Sequence, residues 1–330
     1  MFIVSPPRQP PHTPILCYTL CYPPSHAYTR CIHTRHTPRT LQATWDVVQD
    51  ATTSVTKWGA LGDWDVSVVG DFSYAFSTGR NEAGDSAADG NPKAATFVGT
   101  GLDKWNTSSV TTLFNTFRNA GEMNSDLSKW SVAKVTSLLH TFRAASKFVG
   151  TGLGSWDTSS VTTLHYTFNG AGEMNSDLSK WSVAKVTTLH GTFHSASNFA
   201  GTGLDSWNTA SVTTLSNTFF LASEMNSDLS IWNVAKVVSL LSTFKSASKF
   251  AGVGLDAWDV ANVTQMAGTF TATTSLTTCN KRKIADAWKS SATFTGTTYD
   301  TDWAGEICPK VRDEVGTIGC DRRCLVVYGV

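Results

Sequence analysis

The chain has 330 residues, a formal net charge of zero and only 16% charged residues. That balance, with no basic stripe, argues against a nucleic-acid partner, whose binding rests on clustered Lys and Arg. No run reaches the ~18 apolar residues of a membrane-spanning helix, so no transmembrane span is expected.

Residues 1–40 are rich in Pro, His, Thr and Cys, with proline doublets at Pro6-Pro7, Pro10-Pro11 and Pro23-Pro24. Prolines interrupt every candidate for the apolar stretch of a secretory signal, and Ile15-Leu16-Cys17-Tyr18 is too short to serve. The segment is expected to be disordered, or to be a mis-predicted start. Residues 41–60 carry Leu41, Trp45, Val48, Val55 and Trp58 among polar residues and are expected to form an N-terminal helical cap.

From residue 61 to 276 the chain repeats itself. Trp105, Trp130, Trp156, Trp181, Trp207, Trp232 and Trp258 are spaced alternately 25 and 26 residues apart. Each has Leu three residues before it, Val five after, Leu or Met eight after and Phe 12 after. A diverged first coil places Leu61, Trp64, Val69, Phe72 and Phe76 in the same slots. An insertion at 80–94 separates it from the second coil and reads as a surface loop. The alternation defines a double unit of 51 residues, and residues 116–138 and 167–189 are nearly identical, as after a recent duplication.

The motif Leu-x-x-Trp-x-Val-x-x-Val-x-x-Leu resembles a leucine-rich pattern. The expected fold is therefore α/β: a solenoid of about eight 25/26-residue coils with a parallel β-sheet on one face. Short helices or 3₁₀ turns would line the other face. The strand is expected around Trp130 and Val132, both pointing inward, with Lys129 and Ser131 pointing out. A short helix is expected over 136–145, because Val135, Leu138 and Phe142 follow helical spacing. Residues 277–330 are expected to cap the array, with a helix near 280–289 N-capped by Asn280 and an irregular cysteine-containing tail.

Trp-Asp-Val-x-x-Val-Thr-x-Met-x-x-x-Phe at 258–270, preceded by Gly-x-Gly-Leu, resembles the BspA-like leucine-rich repeat family. That family includes bacterial and mycoplasmal surface lipoproteins. Similar protist and algal arrays often close with a Cys-Asn-Lys-x-x-Ile-x-x-Ala-Trp end like that at 279–288. The resemblance implies a cell-surface or secreted protein, although no clear signal peptide or lipobox-like cysteine is present.

The residues flanking each Trp form the candidate binding face: Lys104, Asn106, Lys129, Ser131, Ser155, Asp157, Lys180, Ser182, Ser206, Asn208, Asn233 and Asp259. They would meet a protein or glycan ligand, or merely be solvated. The threonines before each ladder Phe, from Thr116 to Thr269, either form an ice-binding array or make local bonds within their coils. Asp126, Asp177 and Asp228 share one slot, too widely spaced for an acid/base pair or a Ca²⁺ site, and read as turns and caps. His140, His165, His190 and His194 read as scattered over non-equivalent slots. With no catalytic constellation, phosphate loop or dinucleotide fingerprint, neither enzyme activity nor a cofactor is expected. Cys279, Cys308, Cys320 and Cys324 could form two disulfides, their spacing fitting no standard zinc site. Asn106 and Asn262 match the glycosylation sequon. The leading expectation is a non-enzymatic binding or adhesion scaffold, with an intracellular interaction scaffold as the alternative.

Overall fold

The computed structural model describes residues 38–308. Residues 1–37 and the tail 309–330, with Cys320 and Cys324, lie outside the described residues. The expectations placed on them lie there too.

The repeats stack in register. One parallel bridge joins each coil to the next, from Asp71–Thr112 through Ser137–Thr163 to Ser239–Gln265. These bridges are isolated: no β-strand forms among the described residues. The expected parallel sheet, and with it the leucine-rich α/β solenoid, is therefore not what this chain builds. The expected helices over segments such as 136–145 do not form either.

A run of consecutive turns takes their place. In the Trp105 coil, Thr116, Arg118 and Ala120 donate backbone N–H to the carbonyls three residues earlier. The intervening donors point along the stack instead. Asn115 N–H reaches Leu139 O at 3.1 Å, Phe117 reaches Thr141 O at 2.9 Å and Asn119 reaches Arg143 O at 2.7 Å. The same ladder recurs at every interface between coils. It requires left-handed backbone twice per coil, as at Asn115 (φ 53°) and Asn119 (φ 59°), His140 (56°) and Ala144 (55°), and Asn217 (55°) and Leu221 (58°). A left-handed residue at every fourth position breaks the alternation a strand needs, and committing every second N–H to the next coil removes the i−4 bonds of a helix. Val135, Leu138 and Phe142 are all buried, so helical spacing here reflects turns that return one side inward at each step.

Short 3₁₀ turns do occur, but before the tryptophans, at Leu102–Lys104, Leu153–Ser155, Leu204–Ser206 and Leu255–Ala257. Each is entered through a left-handed glycine. Gly203 (φ 91°) lies so close to the preceding coil that a Cβ there would sit 2.1 Å from Ser179 N.

The interior is aromatic. The ladder phenylalanines stack from Phe76 to Phe270 with centroids 5.6–5.7 Å apart. Tryptophans stack at 6.1 Å in Trp105–Trp130 and 6.2 Å in Trp156–Trp181 and Trp207–Trp232. Each indole N–H bonds a leucine carbonyl of the preceding coil, as Trp130 to Leu102 O at 2.8 Å and Trp181 to Leu153 O at 2.8 Å. A buried indole must find an acceptor, and here the acceptor ties two coils together. The two halves of the double unit differ inside: Phe148, Phe199 and Phe250 pack flat on the ladder phenylalanines where the other coils carry Met123, Met174 and Met225.

Helices close both ends. At the N-terminus, α1 (Pro38–Gln49) packs on α2 (Ala51–Trp58), and Asp46 accepts bonds from Lys57 and from the Trp58 indole at 2.7 and 2.8 Å. The insertion at 80–94 serves this cap. Arg80 is buried over the Trp45 ring, Asn91 accepts from Gln49, and Lys93 reaches the Gln49 carbonyl. At the other end α3 (Thr278–Trp288) is N-capped by Thr277, which accepts from Asn280 N, so the cap is not Asn280 itself. Trp288 takes the place of the next coil's tryptophan. It stacks on Trp258 at 6.3 Å and donates to Leu255 O at 3.0 Å. Helices α4 (Ala292–Thr295) and α5 (Thr298–Ala304) bring Phe294 and Trp303 over the last rung.

Trp181→Ala should destabilise the array by about 3–5 kcal/mol in denaturant unfolding, whereas exposed Lys180→Ala should change little. Gly203→Ala should likewise lower the melting temperature. Gly172→Ser should not, since the next double unit already carries Ser223 there; equal effects of the two glycine changes would contradict the close approach described for Gly203.

Candidate functional site

The expected binding face is at the surface. Of its twelve residues all are exposed except Ser131, which is half-buried. Several of them, however, have local work. The Oδ1 atoms of Asn106, Asp157, Asn208, Asn233 and Asp259 each accept the backbone N–H two residues on, at 3.0–3.1 Å. Ser155 and Ser206 donate to carbonyls of their own and the preceding coil. Asp126, Asp177 and Asp228 build the same turn at 2.8 Å. These residue types recur because the coil needs them.

The threonine ladder is not a surface at all. Thr116, Thr141, Thr167, Thr192, Thr218, Thr243 and Thr269 are 0% exposed. Their hydroxyls donate to the preceding coil, Thr141 to Leu113 O at 3.0 Å and Thr167 to Leu138 O at 2.9 Å. The bond crosses coils throughout, and Thr192, Thr218 and Thr269 make the expected bond within their own coil as well, which leaves nothing for ice to meet. Asn262 donates its amide nitrogen to Ala235 O at 2.8 Å, and Asn106 is exposed. Cys279 and Cys308 are half-buried and not joined to each other. Among the described residues no group of three or more His, Cys, Asp or Glu is placed to hold a metal ion, and no helix is long and apolar enough to cross a membrane.

A different face draws notice when the duplicated units are compared. Between 105–155 and 156–206, residues nine, ten, 13 and 14 after each Trp change without exception. Phe114, Asn115, Arg118 and Asn119 become His165, Tyr166, Asn169 and Gly170; Leu139, His140, Arg143 and Ala144 become His190, Gly191, His194 and Ser195. Elsewhere the two units differ at just five positions: 106, 137, 147, 149 and 154. The next unit changes the set again, to Ser216, Asn217, Phe220, Leu221, Leu241, Ser242 and Lys245, with only Ser246 kept.

These slots are neighbours along one side of the stack. Tyr74 meets Phe114 edge-on at 5.2 Å, and Phe114 lies 6.5 Å from His140. His140 is 5.8 Å from His165 and 5.5 Å from Tyr166; His165 is 4.8 Å from His190. The Tyr166 hydroxyl and His190 Nε2 are hydrogen-bonded at 2.9 Å. The Arg143 guanidinium lies over Tyr166 at 5.5 Å, and Lys245 over Phe220 at 5.2 Å. Gly191 makes room for the tyrosine, since a Cβ there would fall 2.2 Å from its ring. The rings are half-buried, each with part of its surface in solvent. The histidines were therefore not scattered. His165 and His190 share slot nine, His140 sits in slot ten and His194 in slot 13, and stacking brings equal or adjacent slots of neighbouring coils together.

Residues 90–202 and 187–301 match the family model described as Mycoplasma protein of unknown function, DUF285. The chain belongs to this family. A search of curated proteins found no match, and neither did a search of solved structures. The two matched spans of the DUF285 repeat contain the variable slots of the coils from Trp105 to Trp258.

In this DUF285 chain burial holds the imidazoles neutral. His140 is pushed down to about 4, first by burial and then by Arg143, His165 and Arg118. His165, His190 and His194 are also lowered, burial being the largest cause in each. The unfolded chain, whose histidines titrate near 6.5, therefore takes up protons first as pH falls. Stability should be full above about pH 6.5 and should decline toward pH 4. His140→Asn, which installs the residue found at 115 and 217, should flatten that decline in thermal melts; an unchanged slope would sink the assignment.

Proposed function

We propose that this protein is a non-enzymatic binding scaffold whose ligand is met by the variable face, at the cell surface or in secreted form. One observation carries the reading: between the first two double units, eight of the thirteen substitutions gather in four slots along one side of the stack, and the third unit changes seven of those eight positions again. Between these two units drift would scatter over every exposed slot, including that of Lys129 and Lys180, which changes only in the third unit, to Ile231. A surface that changes while its support does not is a surface tuned to what it touches. The finer resemblance to BspA-like surface proteins supports the cellular location and the adhesive role.

The test replaces one patch with its own neighbour. His165→Ser, Tyr166→Asn, His190→Leu and His194→Lys install the residues of the next double unit, which this backbone already accommodates. The purified chain is screened against an array of extracellular-matrix proteins and glycans. The quadruple variant should keep its melting temperature within a few degrees and lose at least tenfold in affinity for whatever the parent binds. Lys129→Ala with Lys180→Ala should not. Binding unaffected by the quadruple change, or an array with no ligand, would overturn the reading.

A further inference from the structure

Resting on that reading, we propose that the variable face binds a linear acidic polysaccharide lying along the stack. Its carboxylates or sulfates would meet Arg118 and Arg143, and its sugar rings would lie on the half-exposed rings of Tyr74, Phe114 and Tyr166.

Charge is the first argument. The chain as a whole is balanced at 26 basic and 26 acidic residues, yet no Asp or Glu occupies any of the four variable slots in any of the eight coils. Arg118, Arg143 and Lys245 stand there instead. Elsewhere lysines pair with carboxylates across coils, as Lys147 with Glu173 at 2.8 Å and Lys249 with Glu224 at 2.5 Å. Among the described residues Arg118 and Arg143 have no such partner. Arg143 rests on an aromatic ring, which fixes the guanidinium without neutralising it. The face thus carries two arginines without ion-pair partners on adjacent coils and, four coils further on, Lys245.

Shape is the second. The rings do not enclose a pocket; they follow one another from coil to coil. Hydrogen-bonded coils repeat at about 4.8 Å, so the stretch from Tyr74 in the first coil to Lys245 in the seventh spans about 30 Å. One coil step is close to the length of a sugar residue in an extended chain. Successive sugars can therefore meet successive coils in register. The apolar C–H face of a sugar ring suits the flat face of Tyr or Phe, and Arg offers the forked donors that carboxylates and sulfates accept.

The backbone argues against a peptide. A peptide docks on such a surface by extending a hydrogen-bond ladder or by filling an apolar pocket. Along this face the ladder donors, such as those of Asn115, Phe117 and Asn119, are already taken by the next coil.

The experiment measures affinity for polygalacturonate and for heparin by titration calorimetry at two salt concentrations, with dextran as the neutral control. Binding to at least one acidic chain and not to dextran is expected, and the two acidic probes separate a carboxylate preference from a sulfate preference. Arg118→Asn with Arg143→Gln should weaken it at least tenfold and reduce its salt dependence. Lys129→Ala with Lys180→Ala removes the same two charges elsewhere and should have little effect. Tyr166→Asn should weaken binding with the salt dependence unchanged. Melting temperatures establish that each variant is folded. The proposal falls if neither polysaccharide binds, if both charge-removing pairs weaken binding alike, or if polyglutamate or duplex DNA binds as tightly. If the acidic chains fail while an array ligand still depends on His165, Tyr166, His190 and His194, only the ligand class is wrong. If nothing depends on the face, the binding reading falls with it.

Discussion

Everything in this molecule hangs on a main-chain ladder that runs between coils rather than within them. Every second N–H of the turn segment reaches the next coil, and the donors between them close turns on their own coil. The backbone polar groups there are nearly all used, as burial demands. Side chains add rungs in the same direction. Thr141 and its equivalents bond the carbonyl of the Leu slot, and each indole bonds the carbonyl of the leucine three before the previous tryptophan. Because every tie points along the stack, a coil has little to hold it without its neighbours. That is why the ends are closed by helices, and why α3 carries a tryptophan in the place of the missing coil.

The repeat could be read from the sequence because the core permits few substitutes. A slot fully enclosed by the same slot of two neighbours fixes residue type, so Leu, Trp, Val, Leu and Phe recur at constant spacing. The inward and outward assignment at Lys129, Trp130, Ser131 and Val132 follows from the same constraint, since Trp130 and Val132 are 3% and 1% exposed. Local conformation could not be read in this way. The left-handed positions are filled by residues such as His140, Tyr166 and Leu221, and only the glycines at 170, 191 and 268 announce the backbone they adopt. Spacing shows which residues face in; several backbones can deliver the same set. A strand followed by a helix is one, and a succession of turns is another.

The site was hidden for a related reason. Read one coil at a time, His140 falls in slot ten and His165 and His190 in slot nine, and the three look unrelated. Their contacts appear only when the coils are stacked, slot nine of one beside slot ten of the one before for His140 and His165, and slot nine beside slot nine for His165 and His190. The signal was nonetheless in the sequence, in the differences between duplicated units rather than in what they share. The residues that recur most faithfully outside the core, such as Asp126 and Asp177, proved to be turn-formers.

The same ladder explains why this face can vary. Its backbone is held by main-chain bonds, and those form whatever the side chain is. A non-glycine residue in left-handed backbone costs roughly 1–2 kcal/mol. The chain accepts that cost repeatedly at positions where glycine would be strain-free but would offer no chemistry. Glycine appears at 191, where the Tyr166 ring leaves no space for a Cβ. The pairs across that interface change together: Asn115 with His140, Tyr166 with Gly191, Asn217 with Ser242. At one of them the large Tyr166 ring is matched by Gly191 in the next coil, an adjustment of shape made within one interface. The core beneath, from Phe117 through Phe168 to Phe219, is untouched by them. A stack built this way can exchange the residues of one patch while keeping the fold that presents it.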